Sequence, residues 1–136
     1  MTRPFTSIVF SGGGGRCIWQ AGFYEEASQS DLFNLNEVAA VSAGAFFSCL
    51  ALLGSLTEPL AYFQKMTAQN PKNMYLENLF TDQPVFPQYA MYRQGVLDLF
   101  DQTALQKLQN GPDIRIQIAR PPSGIGPLPA TLLGIL

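Results

Sequence analysis

Phe10-Ser11-Gly12-Gly13-Gly14-Gly15-Arg16 ends a β-rich stretch and opens a helical one. Four consecutive glycines cost chain entropy on folding, so such a run needs a backbone reason. Without Cβ atoms the chain accepts positive φ, and successive N–H groups can point into one concavity. The helix N-terminus that follows adds positive potential there. A loop of this kind can hold a phosphate or a developing oxyanion, and Arg16 adds a fixed charge at its exit. The dinucleotide fingerprint G-x-G-x-x-G is the main competitor. Gly12 and Gly14 fit its first two glycines, but Cys17 stands at the third. The acidic residue it needs near the end of the second strand is missing as well. A P-loop fails because no Gly-Lys-Ser/Thr follows.

Around the loop, strands and helices alternate. Residues 6–11 read as a buried strand and Cys17 to Gln29 as a helix, weakened slightly by Gly22. Ser30-Asp31 and Asn34 to Asn36 mark a connection. Glu37 to Val41 read as a short second strand, and Ala43 to Leu53 as a helix stopped by Gly54. This order argues for a parallel sheet with crossover helices. Thr57 to Ala68 follow as a helix with Thr57 at its N-cap and Pro59 in its first turn. Residues 70–95 carry Pro71, Pro84 and Pro87 among Tyr75, Phe80, Phe86, Tyr89 and Tyr92, and read as an irregular cover over a helical layer. Val96 to Leu108 regain helical spacing up to Gly111-Pro112. Ile114, Ile116 and Ile118 alternate as a strand, and Pro121-Pro122 begin a loop. The apolar run from Ala130 to Leu136 has no cap and no polar tail, and reads either as a C-terminal helix that docks or, the favoured reading, as the start of a core element in a domain cut short.

The 136 residues make one domain, with 47% hydrophobic and 13% charged residues. A net charge of −2 supplies no basic field, so nucleic acid is not expected as a partner. The chain has no histidine, which excludes a Ser-His-Asp triad. With only Cys17 and Cys49, an ordinary zinc site is excluded too, and both cysteines read as small buried hydrophobes. No metal or other cofactor is expected. Residues 1–5 run straight into the strand pattern with no signal peptide, and Val38 to Leu53 are too short and too punctuated to span a membrane. A cytoplasmic or membrane-peripheral location is the expectation.

Ala40-Val41-Ser42-Ala43-Gly44 lies between a strand and a helix. A nucleophile elbow is a sharp turn there that lifts a serine hydroxyl above the sheet edge. Strand and helix cross closely, so the positions two before and two after the serine must be small, as Ala40 and Gly44 are. The same serine also fits a plain helix N-cap. The glycine loop weighs between these readings. In a parallel sheet the loops after successive strands emerge at one carboxyl edge, so Gly12 to Gly15 and Ser42 are expected to face each other. A nucleophile beside preorganised N–H donors is what acyl transfer requires.

These two segments resemble the patatin-like phospholipase family. Ser11-Gly12-Gly13-Gly14-Gly15-Arg16 matches its glycine loop and Val41-Ser42-Ala43-Gly44-Ala45 its elbow; Cys17 and Ala40 stand where the family has glycine. The resemblance implies a three-layer α/β/α domain with a mainly parallel sheet, of which this chain is the N-terminal portion. It implies a Ser-Asp dyad, in keeping with the absence of histidine. Ser42 would be the nucleophile, Gly12, Gly13, Gly14 and Gly15 the oxyanion loop, and Arg16 its support. Ala40 and Gly44 would flank the elbow. The substrate would be a lipid ester, met in solution or at a membrane surface. The family's aspartate precedes a glycine, and none of Asp31, Asp82, Asp98, Asp101 and Asp113 does. Each reads instead as a surface or turn carboxylate, and the dyad aspartate is expected beyond Leu136. The alternatives are a non-catalytic piece of the same fold, and a phosphate- or nucleotide-binding module using the glycine loop.

Overall fold

The computed structural model describes residues 5–120 and 123–124. The apolar run at 130–136, the Pro121-Pro122 pair and residues 1–4 lie outside the described residues. Three parallel strands form one sheet in the order β1 (Phe5–Phe10), β2 (Phe33–Val41), β3 (Asp113–Gln117). Phe10, Ala40 and Ile116 stand in one row across it, and Val9, Ala39 and Arg115 in the next. Between β1 and β2 run a 3-10 turn, Gly14–Cys17, and helix α1 (Ile18–Ser28). Between β2 and β3 run α2 (Ala43–Leu53), α3 (Thr57–Gln69), a second 3-10 turn at Leu76–Phe80, α4 (Gln88–Leu99) and α5 (Gln102–Gln109).

Alternation along the strands decides which face is covered. Phe10, Val38 and Ala40 join the buried core with Ala21 of α1 and Phe47, Leu50 and Ala51 of α2. On the other face, Val9 is 72% exposed, and Arg115 forms ion pairs with Glu37 and Asp113, both at 3.0 Å. The architecture is therefore a parallel sheet with helices over one face, an incomplete α/β fold. The second helical layer of the expected three is not represented among the described residues. No helix among them is long and apolar enough to cross a membrane.

Helix α2, Ala-Gly-Ala-Phe-Phe-Ser-Cys-Leu-Ala-Leu-Leu, is apolar on nearly every side because it is packed on nearly every side. It lies against β1, β2, α1 and α5. Phe46 meets Phe63 of α3, Tyr92 of α4 and Phe100, with ring centroids 6.1, 5.5 and 5.8 Å away. Gly54 ends the helix at φ 108, as its place in the sequence predicts.

Four local expectations need correction. Strand β2 begins at Phe33, not Glu37. Phe33 and Leu35 are half-buried while Asn34 and Asn36 are exposed, so pairing with Phe5 overrides the turn preference of asparagine. Thr57 does not cap α3. Leu56 holds that place, and its N–H is satisfied by the Glu25 carboxylate at 3.1 Å. The helix read from Val96 to Leu108 is two helices. It breaks at Phe100, and Asp101 caps α5 by accepting from the Ala104 N–H at 2.7 Å, so Asp101 is a capping group rather than an idle surface carboxylate. Residues 88–95, read as irregular, are the first two turns of α4, with Pro87 as N-cap.

The α2 N-terminus sits hard against the end of β1. A Cβ on Gly44 would stand 2.6 Å from Phe10 O and closer still to Ser11 O, so no side chain fits. Gly22, inside α1, has open space around it. Gly44→Ala is therefore expected to destabilise the fold by about 1–3 kcal/mol through forced backbone displacement. Gly22→Ala should stabilise it by about 0.5–1 kcal/mol through helix propensity. Denaturant titration of the two variants beside the parent chain checks both signs.

Candidate active site

Strands β1 and β2 are parallel, so the glycine loop and Ser42 leave the sheet at the same carboxyl edge. A Cβ built on Gly12 would lie 3.2 Å from Ser42 Cβ and 3.9 Å from its Oγ. The loop thus touches the serine, and a side chain at position 12 would crowd it. Gly13 has φ 154 and Gly14 has φ 62, both conformations that suit glycine.

Ser42 has φ 54 and ψ −133. A capping serine has an extended backbone and accepts a hydrogen bond from the first turn. Ser42 has neither, since no side-chain cap hydrogen bond forms. Positive φ in a residue with a Cβ costs about 1–3 kcal/mol and is found where surrounding structure enforces it. The enforcing structure here is the packing of Gly44 on Phe10 and Ser11. Ser42 is exposed, at the head of α2, on the strained strand-to-helix turn that defines an elbow. Ala40, 4% exposed and paired with Phe10 and Ile116, is buried in the sheet just below it.

The loop is held from beneath by a residue that the motifs do not reveal. Gln20 of α1, only 8% exposed, accepts from the Ser11 N–H at 2.8 Å and donates to the Ser11 carbonyl at 3.0 Å. The Cys17 thiol also donates to that carbonyl, at 3.2 Å. Burial raises the Cys17 pKa, while the charge of Arg16 pulls the other way. The thiol therefore stays protonated and remains a donor. Both cysteines are free, and Cys49, half-buried, is raised by burial as well. The sequence signal for Gln20 was a polar residue on the apolar stripe formed by Cys17, Ala21 and Tyr24. Arg16 is exposed in the last turn of the 3-10 segment, where its side chain meets solvent.

Beside Ser42 lies a cavity of about 570 Å³, within the usual range for small-molecule sites. Gly14, Ser42 and Phe46 form one side, and Tyr89, Tyr92 and Val96 of α4 the other; Gln88 and Arg93 add the few polar groups. Residues 75–92 thus split between two roles. Tyr92 packs on Phe46 and Phe63 as a cover, and together with Tyr89 it also walls the cavity. Tyr92 Oη is buried without a hydrogen-bond partner among the described residues, and burial followed by the influence of Cys17 raises its pKa.

The carboxylates lie elsewhere. Asp98 accepts from Tyr62 Oη at 2.5 Å and from Gln94, joining α3 to α4. Asp101 caps α5, and Asp113 pairs with Arg115. Asp31 adopts φ 55 in the turn after α1. Among the described residues no three Cys, Asp or Glu side chains gather as metal ligands.

A parallel sheet with a serine on a strained strand-to-helix turn beside a glycine loop is the arrangement of the α/β-hydrolase type of domain. The family model described as patatin-like phospholipase matches residues 8–119, and the chain belongs to that family of lipid acyl hydrolases. No curated protein and no solved structure matches significantly.

Two outcomes follow from this geometry. Gln20→Leu leaves the Ser11 N–H and carbonyl short of partners, which should cost about 1–3 kcal/mol. Amide hydrogen exchange should accelerate at residues 11–13 while β2 keeps its protection. Separately, desolvation, the hydrogen bond to Asp98 and the charge of Asp98 raise Tyr62 to about 12. An unfolded tyrosine titrates near about 10. The stability this pair contributes is therefore full below about pH 10 and is lost as pH rises through the folded value. A phenolate absorbance titration should show the Tyr62 step moving down in Asp98→Asn.

Proposed function

We propose that the chain is the nucleophile-bearing part of a serine carboxylic-ester hydrolase that cleaves lipid esters of the phospholipid or neutral-lipid type. The observation that carries this reading is the strained, exposed and uncapped conformation of Ser42 beside Gly12. Ser42 Oγ attacks the ester carbonyl carbon. The oxygen gains negative charge, and backbone N–H groups of Gly12 to Gly15 stabilise it, each such donor contributing about 3 kcal/mol in a dry site. Arg16 supports the loop electrostatically. The acyl group passes to Ser42, the alcohol leaves, and water releases the acid. The acyl chain lies along Phe46, Tyr92 and Val96, whose apolar surface favours hydrocarbon over water.

The general base of this scheme is an aspartate of a Ser-Asp dyad, carried by none of the aspartates described above. The helix contact of Asp98, the cap of Asp101 and the ion pair of Asp113 support that reading. The chain is then the front portion of the catalytic domain. The second reading is a fold that keeps the elbow but performs no hydrolysis. A phosphate-binding use of the glycine loop is disfavoured by the apolar walls of the adjoining cavity.

A fluorophosphonate probe separates the first two. Even without the dyad aspartate an oxyanion loop leaves a residual rate, so the parent chain should label slowly at a single serine, and Ser42→Ala should remove the label entirely. Absence of labelling in a folded parent chain, checked by circular dichroism, would leave the non-catalytic reading standing.

A further inference from the structure

One face of α4 looks on to Ser42. Tyr89, Tyr92, Arg93 and Val96 recur at i, i+3, i+4 and i+7, and all four line the cavity of about 570 Å³. Three of them, with Phe46 of α2, make an apolar wall. Arg93 breaks the pattern. A charge that serves only solubility belongs on the solvent side of a helix, where the Gln94 amide donates to Asp98 at 2.7 Å. Arg93 forms no ion pair or hydrogen bond with any described residue. Asp98, the only carboxylate of α4, already accepts from Gln94 and from Tyr62. Among the described residues that line the cavity, Arg93 is the single charged group.

A guanidinium is a permanent cation. A cavity with apolar walls and one such cation selects a ligand that carries both a hydrocarbon chain and a negative group. Charge and shape narrow that group. One cation balances one negative charge, which a carboxylate brings, whereas a phosphate monoester brings nearly two. A planar carboxylate also takes two parallel hydrogen bonds from one guanidinium. Arg93 is exposed and keeps water on its head group, so a carboxylate replaces water there and displaces no protein partner. A small inorganic anion would leave the apolar walls wet and gain nothing from them.

We propose that the cavity beside Ser42 binds the anion of a straight-chain fatty acid as a ligand in its own right, with Arg93 pairing the carboxylate and Phe46, Tyr89, Tyr92 and Val96 flanking the chain. Such binding needs no chemistry at Ser42, so it does not depend on the hydrolase reading. Where Ser42 does cleave esters, the same ligand is the acid released. A neutral acyl ester lacks the charge that Arg93 pairs, so acid and ester compete for one cavity and Arg93 favours the acid.

The test titrates the full chain carrying Ser42→Ala with octanoate and decanoate in a calorimeter, below their micellar concentrations. The expected result is one site per chain, with decanoate about tenfold tighter than octanoate because two more CH₂ groups are buried. Decyltrimethylammonium, with the same chain and the opposite charge, and inorganic phosphate should not bind. Adding Arg93→Gln should weaken decanoate at least about tenfold, and Arg93→Lys should recover part of the loss. Val96→Asp, which sets a carboxylate in the same wall, should abolish binding and so place the ligand in this cavity. Circular dichroism checks that each variant is folded. Failure of the folded chain to bind decanoate overturns the proposal. So does binding that is equal in Arg93→Gln, that fills several sites per chain, or that is matched by decyltrimethylammonium. If Ser42 of the parent chain resists fluorophosphonate while Arg93-dependent decanoate binding persists, the hydrolase reading fails and the fatty-acid site stands.

Discussion

The seat of helix α2 on the end of strand β1 is the contact on which the site depends. Gly44 brings the helix backbone against Phe10 and Ser11 at a distance that leaves no room for a Cβ. Because α2 is held there, the residue before it must turn sharply, and Ser42 takes a positive φ that it would not adopt alone. Because β1 ends there, the chain leaving it runs past Ser42 before α1 begins, and Gly12 meets the serine side chain. The strained turn at Ser42 and the path of the loop are two products of one close crossing.

That crossing is stiffened from both sides. Beneath it, Gln20 and Cys17 fix the Ser11 peptide, so that the loop starts from a defined point. Above it, Phe46 belongs both to the core and to the cavity wall, with Phe47, Phe63, Tyr92 and Phe100 within 6.1 Å ring to ring. A cavity whose wall is also core is preorganised, because moving it would disturb packing throughout the helical layer. The strain at Ser42 is therefore stored by well-packed structure and not by the loop itself.

Much of the site was legible because its demands are local. Glycines at positive φ, a small residue two places after the serine and a strand-to-helix boundary are properties of a few neighbouring residues. The remainder was not local. Asn34 and Asn36 carry turn preferences that strand pairing with β1 overrides. The break at Phe100 and the cap at Asp101 interrupt a continuous helical spacing, and Phe100 is half-buried against Phe46 instead. Residues 88–95 hide a helix behind prolines and aromatics whose spacing is set by the cavity and by Phe63.

Residue order alone thus settled the parallel α/β class, the place of the glycine loop at the end of β1 and the exclusion of a histidine-based triad from this chain, since each follows from backbone sterics or from composition. Folding in three dimensions chose between an elbow and a helix cap for Ser42, recruited Gln20 as the loop's anchor, and turned Tyr89, Tyr92 and Val96 into a cavity wall. It also set the carboxylates in ion pairs and caps away from the serine. Those outcomes depend on contacts between segments far apart in the chain, where packing geometry rather than local preference decides which side chains meet.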